Sequence, residues 1–258
     1  MMNSMFPNKK VSPVFSVIKT VVGSFIKKCN IYGIENLPEH DAVIIANHSQ
    51  MTGPIYGELF MKENCYIWCA GQLMHLKDVP AYAYEDFWSQ KPKASKPFFK
   101  VLSYLIAPLS VLVFNNARTI GVYHDSRLLS TFRNSINLLK SGGNILIFPE
   151  SHETHNNIVY KFQDRFVDLA RMYKNSTGRN LMFVPMYICP KLHGMYIGKP
   201  IEYCSENDAV RERERICSYL SDTITEMAVN LPEHLVVPYA NIPKKKYLTN
   251  KSINEVPE

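Results

Sequence analysis

A histidine directly follows a short apolar segment near the start of the chain. Residues 42–46 read Ala-Val-Ile-Ile-Ala and lead into Asn47 and His48. Polar residues that follow a buried strand lie at the edge where open α/β sheets place their active sites. Imidazole is the side chain best suited to act as a general base near neutral pH. A lone histidine in such a place more often only hydrogen-bonds its own loop, so the pattern by itself makes His48 a candidate general base and no more.

The turn after His48 predicts the start of a helix. Residues 49–54 end in Gly53 and Pro54, and proline is favoured at the first helical position, which makes Thr52 or Gly53 the predicted N-cap. His48 would then lie near the positive end of a helix dipole. Because that field disfavours imidazolium, we expect the ring to stay neutral, as a base must be.

A second group of polar residues raises the alternative of a metal site. Glu150 is followed by His152 and His155, which are three residues apart on a segment that follows a strand and a proline. Zincin helices place their two histidines four residues apart. The six cysteines, at positions 29, 65, 69, 189, 204 and 217, show no zinc-ligand spacing and are expected to be reduced cytosolic thiols. We therefore expect no metal and no cofactor.

Strand-like and helix-like segments alternate along the chain. Short apolar runs predict strands, and amphipathic segments with helical periodicity predict helices. The predicted strands cover residues 42–46, 66–70, 119–123, 144–148, 182–188 and 195–201. The predicted helices cover residues 126–140, 162–173 and 206–229. This alternation predicts an α/β sandwich with a largely parallel central sheet flanked by helices.

Two apolar stretches predict contact with a membrane surface. Residues 11–26, interrupted by Lys19 and flanked by lysine pairs, are typical of an interfacial amphipathic helix and lack a signal-peptide cleavage site. Residues 101–114 are uncharged and follow three lysines, but are too few to span a bilayer, and Pro108 should kink them. The alternative for both is a core or docking helix. We expect a peripheral or monotopic protein at the cytoplasmic face of the membrane.

Composition sets the domain boundaries and limits the partners. With 258 residues, 46% of them hydrophobic and 20% charged, the chain can bury one sizeable core. We place an amphipathic segment at residues 1–29, an α/β domain at 30–237 and a basic, solvated tail at 238–258. The net charge of +6 favours an anionic surface. Because no nucleic-acid-binding motif accompanies that charge, nucleic acid is not an expected partner.

Four segments, in order, resemble the motifs of the glycerolipid acyltransferases, the lysophosphatidic acid acyltransferase family. They are Ile45-Ala46-Asn47-His48-Ser49-Gln50, Ile120-Gly121-Val122-Tyr123-His124-Asp125-Ser126, Gly142-Gly143-Asn144-Ile145-Leu146-Ile147-Phe148-Pro149-Glu150-Ser151 and Val184-Pro185-Met186-Tyr187. The resemblance covers about residues 30–202. It implies an α/β sandwich that transfers an acyl group from a thioester of coenzyme A or acyl carrier protein to a lysolipid-like acceptor. In this reaction His48 would remove the proton of the acceptor's hydroxyl or amine.

The resemblance also implies which residues contact the substrate. The second and third motifs would border the acceptor, and Glu150 would order that side by hydrogen bonding. The implied substrate-binding residues are Asn47, Tyr123, His124, Arg127, Phe148, Pro149, Glu150 and Ser151. Backbone N–H groups near the helix start after Gly53 would stabilise the oxyanion.

The chain departs from the family at three motif positions. Gly53 stands where the family has the aspartate that orients the histidine, a role left to a backbone carbonyl or to Glu58, Asp125, Glu150 or Glu153. His124 stands where the family often has a phosphate-binding arginine, a role left to Arg127 or Arg118. Ser151 replaces a glycine. Two hypotheses follow: an acceptor other than lysophosphatidic acid, or a catalytically inactive lipid-binding protein on the same fold.

The interval from His48 to His124 is long for this family. The extra residues, about 72–100, mix aromatic side chains with lysines. That mixture is typical of a membrane interface or of a lid over the acyl site, and the alternative is a packed surface excursion.

Overall fold

The computed structural model describes residues 12–88, 91–123 and 125–255, and its strands and helices alternate along most of that length. The strands are β1 Asn30–Tyr32, β2 Ala42–Ala46, β3 Cys65–Ala70, β4 Thr119–Val122, β5 Asn144–Ile147, β6 Glu150–Thr154, β7 Tyr160–Phe162, β8 Met182–Cys189, β9 Gly194–Ile197 and β10 Ile201–Glu202. The helices are α1 Pro13–Phe25, α2 Thr52–Phe60, α3 Val79–Ala83, α4 Lys96–Asn116, α5 Leu128–Lys140, α6 Asp168–Thr177 and α7 Ala209–Asn230.

The central sheet has the strand order β1-β9-β8-β2-β5-β3-β4, and β10 pairs with β8. Its pairs are parallel except β8–β9 and β8–β10. The predicted α/β fold with a largely parallel sheet is therefore confirmed. In register, Ile45 of β2 lies beside Ile147 of β5, and Ala46 lies beside Met186 of β8. The carboxyl ends of β2 and β5 consequently meet at one edge, and β8 continues past them to Cys189.

Both faces of the sheet are covered, which explains why β2 is buried along its whole length. On one face Val43 and Ile45 join a core with α5, α6 and α7. On the other face Ile44 packs with Tyr56 of α2. The strand can therefore be apolar throughout, and its first polar residues appear only where it ends.

Three predicted boundaries are wrong. Phe162 does not begin a helix, because it pairs with Glu150 in the hairpin β6–β7, and α6 begins only at Asp168. The predicted strand over residues 195–201 is two strands, because β9 ends at Ile197. Helix α2 begins at Thr52 with Met51 as its N-cap, so Pro54 occupies its third position rather than its first.

Helix α4 is longer than the apolar stretch that predicted it. It runs for 21 residues and continues through Pro108. By length and composition, the helical stretch Lys93–Asn116 could cross a membrane: an 18-residue window within it has a mean hydropathy of 1.8, and 11% of that window is buried. The helix nevertheless packs one side on the domain, where Ala107 contacts Val79 and Ala83 of α3. Of the described residues before α4, Val79 and Ala83 are buried with it, whereas Lys91, Pro92 and Lys93 are exposed. The membrane interface, the lid and the packed excursion stay predictions for this segment.

The segment after α7 returns to the body of the protein. Val236 and Asn250 are buried, and an antiparallel bridge joins Leu235 to Thr249. Lys244, Lys245 and Lys246 are exposed, as their charge demands. The described part of the predicted tail is thus anchored at Pro238 and Asn250, while its lysines are exposed to solvent as the prediction expects.

Candidate active site

The loop after β2 reverses sharply. Ser49 and Gln50 have φ values of 46° and 54°, a left-handed conformation that is uncommon for residues other than glycine. Thr52 N–H donates to the Ser49 carbonyl at 3.1 Å, and Gly53 N–H donates to the His48 carbonyl at 3.1 Å. The predicted oxyanion donors at the start of α2 are therefore occupied by the loop itself.

This reversal brings the Gln50 carbonyl to the His48 ring. Nδ1 of His48 lies 2.5 Å from that oxygen. Because a carbonyl only accepts hydrogen bonds, Nδ1 carries the hydrogen, and the lone pair of the neutral ring is on Nε2. Burial lowers the pKa of His48, against the opposing influence of the Gln50 carbonyl and of Asp86. The ring is thus kept in the form that accepts a proton at Nε2.

Gly53 has no room for any side chain. A Cβ at this position would lie 2.3 Å from the His48 carbonyl oxygen and 2.9 Å from the Phe148 ring. Both distances are below van der Waals contact. In this loop conformation an aspartate cannot occupy the position, and the backbone carbonyl of Gln50 holds the ring instead.

Asn47 fixes the loop to the next strand rather than lining an open site. Its buried amide accepts from Ile188 N–H at 2.7 Å and donates to the Ile188 carbonyl at 3.1 Å and to Ser49 Oγ at 2.9 Å. The side chain therefore extends the pairing of β2 with β8 beyond the last strand residue. The prediction of Asn47 as a substrate contact is replaced by this positioning role.

Glu150 lies beside His48 but binds the backbone, not the ring. Its buried carboxylate accepts from His48 N–H at 2.5 Å and from Tyr160 N–H at 2.8 Å. Burial raises the pKa of Glu150 to about 7, although both N–H donors act in the opposite direction. Glu150 thus ties the ends of β2 and β5 and the hairpin into one unit, and both acceptor oxygens are engaged within the protein.

The neighbours of Glu150 in the third motif, Phe148, Pro149 and Ser151, differ in what they contact. The Phe148 ring lies 5.2 Å from the His48 ring, measured between centroids. The Pro149 carbonyl accepts from Gln163 N–H at 2.8 Å and so closes the turn into β6. Ser151 Oγ is 3.3 Å from Glu153 N–H. Of these three, Phe148 borders the His48 ring directly.

Two neighbours of His48 were not found from the sequence. The Tyr239 ring packs edge-on at 5.6 Å from the His48 ring, and it also contacts His152 and Tyr160. Asp86, in a π-helical turn over Tyr84–Trp88, acts electrostatically on both His48 and His152. No sequence signal marks Tyr239, whereas the length of the segment before α4 could have drawn attention to Asp86.

The second motif forms a separate, exposed group. The Arg127 guanidinium lies 4.0 Å from the centroid of the Tyr123 ring and pairs with Asp125 at 2.7 Å. The Tyr123 hydroxyl is 2.8 Å from His75 Nε2. The hydrogen bonds from Arg127 hold the pKa of Asp125 at about 2. His124 lies outside the described residues, and no hydrogen bond or ring contact within those residues joins Tyr123 or Arg127 to His48.

The other candidates have structural partners. Arg118 pairs with Glu58 and binds the carbonyls at the carboxyl end of α2, so it is not free for a phosphate. Glu58 also pairs with Lys19, and Glu153 pairs with Lys161. Neither glutamate, nor Asp125, holds the His48 ring. Among the described residues, no group of three or more histidine, cysteine or acidic side chains is arranged to hold a metal ion.

The chain resembles a solved structure but no family model. No protein-family model matches the chain, and no curated protein matches it. Among solved structures, the 1-acyl-sn-glycerophosphate (LPA) acyltransferase PlsC from Thermotoga maritima is 14% identical, with a TM-score of 0.48 over 85% of this chain and 80% of that one.

Proposed function

We propose that this chain is an acyltransferase of the membrane surface. It moves a fatty acyl group from a thioester of coenzyme A or acyl carrier protein to a hydroxyl or amine of a lysolipid-like acceptor. The observation that carries the proposal is the His48 ring, held at Nδ1 by the Gln50 carbonyl and kept neutral by burial. The four segments that resemble the glycerolipid acyltransferase motifs support it, because they place this histidine in the first motif.

The chemistry needs one proton carrier. Nε2 of His48 takes the proton of the acceptor hydroxyl while the oxygen attacks the thioester carbonyl. The tetrahedral intermediate then collapses, the C–S bond breaks, and the imidazolium returns the proton to the departing thiolate. The products are the acylated acceptor and the free thiol. No acyl-enzyme is required, so neither Ser49 nor Ser151 serves as a nucleophile.

An exposed apolar surface on α1 and α4 supports attachment to a membrane. The two helices touch, and Ser12 N–H donates to Asn116 Oδ1 at 3.0 Å. Phe25 is 86% exposed, and its exposed apolar companions are Val14, Val17 and Val21 on α1 and Phe98, Val101, Tyr104, Leu105 and Leu109 on α4. A soluble surface rarely exposes so many large apolar side chains on two touching helices without a partner.

The charges around this surface fit an anionic bilayer. Lys19, the charged residue within the apolar run of α1, pairs with Glu58 at 2.7 Å and so leaves the outer face. Lys27 and Lys28 follow α1, and Lys93 and Lys100 lie at the start of α4, all exposed. Lysines beside an apolar helical face bind anionic headgroups while the apolar side chains enter the interface. We propose a peripheral or monotopic position at the cytoplasmic face.

Thioester consumption by a base-deficient variant tests the reaction. Purified protein is given acyl-coenzyme A or acyl carrier protein thioesters with a panel of lysolipids, alcohols and amines, and free thiol and acylated product are measured. His48→Ala should lower turnover by roughly 10²–10⁴-fold without unfolding the chain. His155→Ala, which changes an exposed histidine on the neighbouring hairpin connection, is the matched control. Full activity of His48→Ala would refute the proposal, and absence of any His48-dependent turnover would favour the inactive lipid-binding protein.

The same panel tests the acceptor. Arg127 is paired with Asp125 and Arg118 with Glu58, so neither arginine is free of an acidic partner. We therefore propose an acceptor other than lysophosphatidic acid. A clear preference for lysophosphatidic acid over neutral lysolipids and alcohols would contradict this.

Vesicle flotation tests the membrane surface. Val17→Glu and Phe25→Glu put charge on the exposed face of α1 and should reduce binding to anionic phosphatidylglycerol vesicles. Asn175→Glu, at an exposed position of α6, adds the same charge elsewhere and should leave binding nearly unchanged. Equal loss in all three variants would point to net charge alone and count against the apolar surface.

A further inference from the structure

The segment after α7 crosses the candidate active site. We call residues 234–250 the C-terminal strap. Its two ends are paired: Val236 N–H donates to the Leu248 carbonyl at 2.9 Å, and Asn250 N–H donates to the His234 carbonyl at 3.0 Å. The middle of the strap therefore forms a loop whose ends are held together.

The base of the strap is anchored in the core. The fully buried Asn250 donates to the Ala228 carbonyl of α7 at 2.7 Å and accepts from His234 N–H at 3.0 Å. His234 Nε2 lies 2.8 Å from the Tyr187 hydroxyl of β8. Since α7 and β8 both belong to the main fold, the strap is fixed relative to the strand edge that carries His48.

The strap touches the His48 loop at two places. Tyr239 packs its ring against the His48 ring, as described above. The Gln50 amide Nε2 donates to the Ala240 carbonyl at 3.2 Å and to the Tyr247 hydroxyl at 3.0 Å. Gln50 is also the residue whose own carbonyl binds Nδ1 of His48. Gln50 thus connects the strap to Nδ1 of His48, the nitrogen whose hydrogen bond fixes the tautomer of the ring.

We infer that the C-terminal strap positions His48 and that Tyr239 and Gln50 are the positioning residues. Together they orient the ring, which is the role that an aspartate at position 53 would otherwise have. Tyr239 limits rotation of the ring, and the grip on the Gln50 side chain keeps its carbonyl aimed at Nδ1. The inference deepens the proposed function, on which its importance for turnover rests, while the orientation of the ring is measurable without turnover.

The backbone of Gln50 explains why such a grip is needed. A non-glycine residue in the left-handed region is strained by contact between Cβ and the backbone, and Ser49 beside Gln50 has the same conformation. A loop held only by its own turn would relax toward ordinary φ values and withdraw the carbonyl. The two hydrogen bonds from Gln50 to the strap oppose this relaxation, because they fix the side chain, and with it the residue, to an anchored segment.

Nitrogen NMR of the His48 ring tests the inference on the full chain. We expect the wild-type ring to hold hydrogen on Nδ1 and to remain neutral below the ordinary histidine pKa. Tyr239→Leu removes the ring contact, and Gln50→Asn keeps a residue that tolerates positive φ but shortens the side chain that reaches the strap. Both should mix the two tautomers. Where turnover exists, kcat should fall on the order of tenfold with little change in KM.

Conservative variants separate positioning from mere stability. Tyr239→Phe keeps the ring and should restore the wild-type ring signals, and Tyr219→Phe, which removes a hydroxyl bound to the Lys199 carbonyl, should leave them unchanged. If Tyr239→Leu fails to fold, Tyr247→Phe, which deletes one acceptor of Gln50, should still shift the signals in the same direction. The titratable neighbours Asp86, Glu150 and His152 remain present in every variant.

The outcomes distinguish the two proposals. Wild-type His48 signals in folded Tyr239→Leu, Gln50→Asn and Tyr247→Phe would overturn the positioning role and leave the acyltransferase proposal standing. Altered signals in a protein without any thioester turnover would support the strap's grip on His48 and refute the acyltransferase proposal.

Discussion

The loop that carries His48 and the exposed group around Tyr123 differ in burial and in the partners of their polar side chains. In the first, Asn47 and Glu150 are buried and hydrogen-bonded to backbone groups of neighbouring strands. In the second, Arg127 pairs with Asp125 two residues away and stacks on Tyr123, all near the surface.

The difference separates two tasks. Buried hydrogen bonds to a carboxylate are costly to break, because the unpaired group has no water to replace its partner. Exposed ion pairs contribute little to stability and exchange partners readily. The His48 loop is therefore a fixed frame, and the Tyr123 group can rearrange without disturbing it; under the proposed function these would serve proton transfer and acceptor binding, respectively.

Gly53→Asp should damage the fixed frame most. Its Cβ would overlap the His48 carbonyl, so we expect a loss of about 3 kcal/mol in the free energy of unfolding and loss of turnover. Denaturant unfolding measures the first and thioester consumption the second. Gly23→Ala is the matched control, since its Cβ meets nothing closer than 3.8 Å in helix α1 and should stabilise slightly. Unchanged stability in Gly53→Asp would show that the loop adapts easily.

Glu150→Gln should have the next largest effect. An amide offers one acceptor oxygen, so one of the two N–H groups of His48 and Tyr160 would lose its partner and face an NH₂ group. We expect a loss of about 1–3 kcal/mol in the free energy of unfolding. Glu153→Gln, at an exposed position of the same strand, should leave the melting temperature unchanged. Equal melting temperatures for all three proteins would mean that these two bonds do not hold the loop.

The pH dependence of the free energy of unfolding tests the same carboxyl group, that of Glu150. Its pKa is about 7 in the folded chain against an ordinary 4.5, so the folded state binds the proton more tightly than the unfolded state. The contribution of Glu150 to stability is thus fully present below pH 4.5 and is lost as pH rises through about 7. The difference in the free energy of unfolding between the wild type and Glu150→Gln, measured by urea unfolding across this range, should decrease as the pH rises. The subtraction removes the opposite trend from His48, and a difference that rises with pH would contradict the assignment.

Arg127→Ala should have the smallest effect on the fold. Because its pair with Asp125 is exposed, the melting temperature should stay the same, while KM for the acceptor should rise severalfold and kcat should change little. Arg133→Ala, an exposed arginine on the next helix, is the control for net charge. A drop in melting temperature would show that the Tyr123 group is part of the rigid frame after all.

Sequence reasoning located the fixed frame because its signals are local. An apolar run ending in Asn47 and His48 predicted β2, and the observed strand has the same ends. The same reasoning named Glu150 as a neighbour of the site, yet it assigned the carboxylate to the acceptor. The partners of Glu150 are backbone N–H groups. Every residue except proline carries one, so no pattern of side chains predicts which of them will bind the carboxylate.

The parts that could not be predicted depend on contacts between distant segments. A carbonyl was considered as the partner of His48, but which carbonyl became clear only from the positive φ of Gln50. Tyr239 lies near a lysine-rich stretch whose charge predicted solvation. Burial of Asn250 and His234 anchors that stretch. Both are polar residues, which are expected at the surface when only the sequence is considered.

The close approach at Gly53 also constrains how this chain could change through evolution. A single replacement by aspartate meets the His48 carbonyl before its carboxylate can reach the ring. The loop would first have to abandon the reversal at Ser49 and Gln50, and that step alone removes the carbonyl that now holds Nδ1. The two ways of holding the histidine therefore exclude each other in one loop, and more than one substitution is needed to pass from one to the other.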